Sequence, residues 1–286
     1  MKSQVIVALD GSTNAEAILP HALFLALQSP SILTLLRIIL PPGEPEYPVP
    51  YIPDDWYDEE VISTKNYLTS LATRLQPQGA RVNTQFLKGT SAGTAITSYA
   101  QQHTDVHLIT LATHGRGAGW RLLLGSVAKE VYVSARTSLL LLHPPKDAQI
   151  SSGPITSASY QTIVVPLESI IGRERVLEQA TTLALACQAS ILLVAEPPPP
   201  FLEPEVRARE IIIATDLLTK QAERLRSSTR LTVQTAFTEG DPAAFIERLS
   251  GQYRQSLLIV TSQQQAEHRV MSFLHQSNVP VLFAAV

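Results

Sequence analysis

Four short apolar runs recur along the first half of the chain, Val5 to Leu9, Ile32 to Leu40, Val106 to Thr110 and Ser138 to His143, and Val82 to Leu87 reads as a further strand. Continuous apolar runs of this length, without polar alternation, are the signature of strands buried on both faces. Helical signals lie between them. Thr13-x-x-Glu16 reads as a capping box opening a helix that runs to about Gln28 and bends at Pro20. Glu59 to Leu75, Ala92 to His103 and Gly125 to about Ala135 read as further helices. Strands joined through helices specify βαβ crossovers, and so an α/β fold built on a doubly wound parallel sheet of five strands. Ligands of such sheets bind beyond the carboxyl ends of the strands, which puts Asp10, Ile38 and the segment after Thr110 on one rim. Pro41 to Asp58 breaks the alternation with six prolines plus Tyr47, Tyr51 and Trp56. It is expected to be a long loop without regular structure, closing as a lid on its own domain.

The pattern then starts again. Thr162 to Leu167 answers Gln4 to Leu9, Ser190 to Glu196 answers Ser31 to Arg37, Leu257 to Thr261 answers Leu108 to Ala112, and Val279 to Ala284 answers Thr137 to Leu142. Two copies of one unit make a tandem duplication, with a first domain at 1–146, a linker at 147–159 and a second domain at 160–286. The copies differ where chemistry is expected. The first carries THGRGAGWRLLLGS after its fourth strand, whereas the second has the shorter QQQAEH with no glycine, and Glu168 stands where the first has Asp10.

The glycine segment has the look of an anion cradle. Gly115, Gly117 and Gly119 follow a strand, and Gly125-Ser126 opens a helix. Glycines let backbone N–H groups approach an anion closely, and a helix N-terminus adds unsatisfied donors with a partial positive charge. The spacing is neither GxxxxGK[ST] nor a GxGxxG joining strand directly to helix. With Ala112 at a first glycine position, Gly115 at the second, nine intervening residues and then Gly125-Ser126, the segment resembles the Gly-x2-Gly-x9-Gly-Ser/Thr motif of the universal stress protein family. Alanine at Ala112 is acceptable to that motif if its backbone is extended and harmful if φ is positive.

The resemblance implies a Rossmann-like, adenine nucleotide alpha hydrolase-like fold, and ATP, with or without Mg²⁺, as the ligand. It implies that Ala8, Leu9 and Asp10 meet the adenine and ribose, that Ile38 packs on the base, and that Ala112, Gly115, Arg116, Gly117, Gly125, Ser126 and Val127 hold the phosphates. Arg116 and Arg121 could each neutralise a phosphate, Trp120 would cover one side of the loop, and Asp10 is equally suited to forming a turn before the first helix. The second domain, lacking the loop, is expected to be structural. The resemblance further implies that the two domains pack about a pseudo-two-fold axis through their last strands, an intramolecular pseudo-dimer, with room for a further homodimer.

Composition narrows the functional classes. A net charge of −3 spread evenly over both halves leaves no basic face for nucleic acid. No apolar run approaches the roughly 18 residues of a membrane span, and the expected location is the cytoplasm. Cys187, the single cysteine, sits in an apolar helical run and reads as core packing. His103 and His107 straddle a helix end and a strand start, so no shared helix face aims both at a metal, and His114 has no nucleophile or paired carboxylate placed beside it. A slow ATP hydrolase would need a Walker-type aspartate or base that no motif supplies, and a nucleotide-free scaffold is what remains if Ala112 abolishes binding. Stress-responsive nucleotide binding without catalysis is the function the resemblance implies, with the slow hydrolase and the scaffold as alternatives.

Overall fold

The apolar runs become parallel strands within each of two units in the computed structural model, which describes residues 3–44, 47–48, 56–113, 125–144, 153–167, 173–195, 198, 201–237, 255–261 and 279–285. The chain divides into two units, Met1–Ala158 and Ser159–Val286. The first unit runs β1 (Gln4–Leu9), α1 (Thr13–Glu16), α2 (Leu19–Gln28), β2 (Ile32–Ile39), β3 (Gly43–Glu44), β4 (Tyr47–Pro48), α3 (Trp56–Leu75), β5 (Arg81–Lys88), α4 (Ala92–Gln102), β6 (Val106–Ala112), α5 (Ser126–Ser134) and β7 (Ser138–Leu142). Its sheet has the order β7-β6-β1-β2-β5, every neighbour parallel, with Val7 opposite both Leu35 and Thr110. The central strand is buried from Val5 to Leu9, whereas edge strand β5 is polar and largely accessible. That difference follows from position, because only central strands are covered by helices on both faces. Thr64, Leu68, Leu71 and Leu75 form the buried stripe of α3, and each leucine so covered stabilises the unit by about 1.5–3 kcal/mol.

Two local expectations are corrected. The first helix is not one bent helix but two, α1 and α2, with Pro20 in the first turn of the second. Proline lacks an N–H and its ring collides with the carbonyl four residues back, so the break is complete. The cap is also one residue earlier than Thr13: Ser12 Oγ accepts from the Ala15 N–H at 3.1 Å, and Glu16 turns instead to Arg74, 3.5 Å away. The proline-rich stretch contains regular structure at both ends, since β3 and β4 pair antiparallel and α3 already begins at Trp56. Beyond β7, residues 153–158 lie on the first unit. Ile155 is buried, its N–H donates to the Arg74 carbonyl at 3.0 Å, Arg74 Nε donates to the Gly153 carbonyl at 3.0 Å, and the Ala158 N–H reaches the Pro20 carbonyl at 2.9 Å.

The second unit runs β8 (Thr162–Pro166), α6 (Arg173–Cys187), β9 (Ser190–Ala195), α7 (Pro204–Ser228), β10 (Val233–Phe237), β11 (Ser256–Thr261) and β12 (Val281–Ala284). Its strand order, β12-β11-β8-β9-β10, repeats that of the first unit: the first strand of each copy lies in the middle and the winding reverses beside it. Among the described residues no helix is long and apolar enough to cross a membrane.

Helix α6 closes on a residue chosen against its backbone. Gln188 has φ 56°, and the following Ala189 N–H bonds back to the Ala184 carbonyl at 2.9 Å, the helix-ending arrangement that glycine ordinarily serves. Gln188 is exposed, so its side chain offsets none of the left-handed strain. Gln188→Gly is expected to raise stability by about 0.5–1 kcal/mol, the relief of strain exceeding the entropy given to the unfolded chain. Urea unfolding measures it, and a loss of stability would show that Gln188 makes a contact worth more than the strain.

Candidate functional site

The rim at the carboxyl ends of the first unit's strands brings together most of the residues singled out in the sequence. The winding reverses at β1, and in sheets of this kind the crevice that takes a ligand lies at such a reversal, here between the ends of β1 and β6. On the β1 side the chain leaves buried Ala8 and Leu9, passes Asp10 and turns at Gly11, whose φ of 85° suits glycine. Asp10 Oδ1 accepts from the Ser12 N–H at 2.9 Å and from Ser12 Oγ at 2.6 Å, and Ser12 in turn caps α1. Asp10 is thus a turn-forming residue, with its carboxylate fixed at the crevice edge by two short bonds.

On the β6 side Ala112 is the last strand residue, paired with Leu142, so its backbone is extended and accepts alanine without strain. Thr113 follows, buried, with its N–H on the Leu142 carbonyl at 2.8 Å, its Oγ1 3.1 Å from His143 Nδ1 and its own carbonyl accepting from the Gly125 N–H at 2.8 Å. That last bond carries the chain from strand end to helix start. Gly125 is the N-cap of α5, Ser126 is exposed and Val127 half-buried in its first turn. Unlike α1 and α4, which receive side-chain caps from Ser12 and Ser91, α5 opens without one. Its first N–H groups, donors with a partial positive charge, have no side-chain cap among the described residues. Ile38 lies on the same rim beside Gly89, where an added Cβ would stand 3.5 Å from Ile38 Cγ2. Gly115, Arg116 and Gly117, with His114, Trp120 and Arg121, lie outside the described residues, as do Glu168 and the segment around 263–268 of the second unit.

A second polar group under the rim was not apparent from spacing. Arg37, buried in β2, holds Glu60 of α3 at 2.7 Å and lies 5.6 Å from the Tyr67 ring centroid. Glu16 and Arg74 lie close by, and Tyr67 is pushed above the ordinary phenol range by burial first and then by the Glu16 and Asp10 carboxylates. An arginine inside an apolar strand is the one signal that could have found the cluster, because a buried cation requires a partner.

Helix α5 is clasped to α4 through Glu130. Its carboxylate accepts from Thr94 Oγ1 in the first turn of α4 and from Oγ of the N-cap Ser91 at 2.7 and 2.9 Å, and these bonds hold it below the usual carboxylate range. Gly93 makes the approach feasible, since a Cβ there would fall 2.5 Å from Glu130 Oε2 and 2.7 Å from its Cβ.

The remaining candidates separate. His103 Nδ1 meets the Tyr99 carbonyl at 2.8 Å and stacks on its ring, while His107 Nδ1 meets Ser3 Oγ. Among the described residues no three His, Cys, Asp or Glu side chains gather as metal ligands. Cys187 is half-buried, its thiol donates to the Leu183 carbonyl at 2.9 Å, and burial pushes it up.

Comparison with known proteins agrees with this architecture. The universal stress protein family matches residues 1–143, half of the chain. The chain belongs to the universal stress protein family. Its fold is similar over nearly its whole length to a universal stress protein from Archaeoglobus fulgidus DSM 4304, at TM-score 0.68 and 15% identity, covering 98% of this chain and 95% of that one. It is also similar to a functionally unknown protein from Pseudomonas aeruginosa PAO1, at TM-score 0.60 and 12% identity, with 99% and 92% covered. No curated protein matches the sequence.

Alanine is ordinarily the better helix former, so a loss at Gly93 isolates the close approach. Gly93→Ala is expected to destabilise the first unit by about 1–3 kcal/mol, the usual cost of overpacking, seen in thermal unfolding. Glu130→Gln tests the clasp by pH. A carboxylate held low in the folded state contributes above its unfolded value near 4.5, and that contribution disappears as pH falls through the folded value. The stability difference between parent and Glu130→Gln should therefore shrink below about pH 4.5, and a difference constant from pH 7 to 3 would rule the clasp out.

Proposed function

We propose that the first unit binds ATP at the crevice between β1 and β6, as a nucleotide-dependent module of the stress response in the cytoplasm. The observation that carries this reading is the uncapped N-terminus of α5, started by Gly125-Ser126 and tied by the Gly125 N–H to the end of β6, across the crevice from the fixed carboxylate of Asp10. The donors of α5 suit phosphate oxygens, and the exposed Ser126 hydroxyl adds one more. In this reading Ala8, Leu9 and Asp10 meet the ribose and adenine edge, Ile38 packs on the base, Ala112, Gly125, Ser126 and Val127 hold the phosphates, and Gly115, Arg116 and Gly117 close over them. Mg²⁺ would accompany the triphosphate. The second unit, which carries QQQAEH where the first has its glycine segment, serves as structure and binds no nucleotide.

The full chain should bind one ATP. Gly125→Val is the sharpest variant, because φ −60° and ψ 151° are open to any residue and the valine changes space, not backbone. Titration calorimetry should show binding abolished with the unfolding temperature nearly unchanged. Two sites per chain, or unaltered affinity in Gly125→Val, would place the nucleotide elsewhere.

A further inference from the structure

Only the second half of α7 is covered by its own unit. Leu218, Ala222 and Leu225 are its buried residues, while every residue from Glu203 to Ile213 is exposed. Within that free stretch stand Ile212 at 68% and Ile213 at 51% exposure, two β-branched apolar side chains on a solvated helix. At 100° per residue, Glu205, Arg209, Ile212, Ile213, Asp216 and Lys220 fall in one stripe about 100° wide, which Glu223 continues one turn beyond Lys220, and the buried leucines lie on the opposite side. All six are exposed.

Read from Glu205 to Lys220, the stripe is acid, base, isoleucine, isoleucine, acid, base. Reversed, it is complementary to itself. We propose that α7 is a self-association surface, on which a second copy of this chain lays its own α7 antiparallel about a two-fold axis passing between Ile212 and Ile213. In that register Glu205 faces the second copy's Lys220, Arg209 faces the second copy's Asp216 and Ile212 faces the second copy's Ile213, each contact occurring twice. A shift of one turn in either direction brings Arg209 against the second copy's Lys220 or Glu205 against the second copy's Asp216, and a parallel arrangement sets every charge beside its like. The pattern thus selects one arrangement by repulsion in the others. The bridge within the helix, Asp216 to Lys220 at 2.6 Å, accounts for two of the charges but leaves the isoleucines uncovered. With two acids and two bases from Glu205 to Lys220, and Glu223 one turn beyond, the stripe carries no excess of positive charge, which gives an anionic membrane nothing to attract and favours a copy of the chain as occupant.

One helix pair is smaller than the roughly 1,200–2,000 Å² of stable interfaces, so a weak dimer that depends on concentration is expected. Sedimentation equilibrium of the full chain tests it. Arg209→Glu and Asp216→Arg each turn two attractions into two repulsions and should each lower the association constant about tenfold. An equimolar mixture of the two variants should recover association, because Glu at 209 of one chain then meets Arg at 216 of the other, and Asp216 of the first meets Arg209 of the second. Circular dichroism of both variants checks that the helix is kept, and Ile212→Ser with Ile213→Ser, on exposed positions, should also weaken the dimer. A monomeric parent at all concentrations overturns the proposal. So does a dimer indifferent to both charge variants, a mixture that fails to recover association, or a monomer that instead sediments with phosphatidylglycerol vesicles.

Discussion

A sheet whose strands all run one way must finish every strand on the same rim, and each site residue described above depends on that constraint. Parallel pairing of β1 with β2 and β6 sets Leu9 beside Arg37 and Val7 beside Thr110. The residues that follow them are then collected at one end although they are separated by tens of positions in sequence. The reversal of winding beside β1 leaves room there that helices fill elsewhere. The second unit repeats the order, so its framework is equally able to present a rim. Any difference between the units therefore resides in loop chemistry, not in the sheet.

Around that rim, backbone bonds and side-chain bonds divide the work. Backbone bonds position the termini of strands and helices: Gly125 hangs from Thr113, Gly89 from Ile39 and Leu167 from Val194. Side chains then fix orientation, as Ser12 does for Asp10 and Glu130 does for the α4–α5 pair. The charged group of Arg37, Glu60, Glu16 and Arg74 lies behind the β1 turn and makes α3 part of the same assembly. Removing one member would leave its partner poorly compensated, which is why such groups hold their geometry so closely.

Much of this was legible in the residues. Strands buried on both faces betray themselves as apolar runs, and β1, β2, β6 and β7 lie where those runs lie. The glycine spacing led to Gly125 and Ser126, which do open α5. What escaped was what depends on competition or distance. Ser12 and Thr13 both suit a cap, and only the Asp10 turn decides for Ser12. Pro20 fits an amphipathic pattern while forbidding the backbone that the pattern assumes. Arg37 and Glu60 are 23 residues apart with no motif to connect them. The free half of α7 shows no single apolar face, so periodicity conceals the stripe that matters.

Arg74 occupies an unusual place, because one guanidinium engages Glu16 in α1 and the Gly153 carbonyl in the segment leaving the first unit, while the Arg74 carbonyl holds Ile155. One side chain thus joins the segment at 153–155 to the end of α3 and, through Glu16, to the short helix that follows the Asp10 turn, so the stretch beyond β7 and the edge of the candidate site share an anchor.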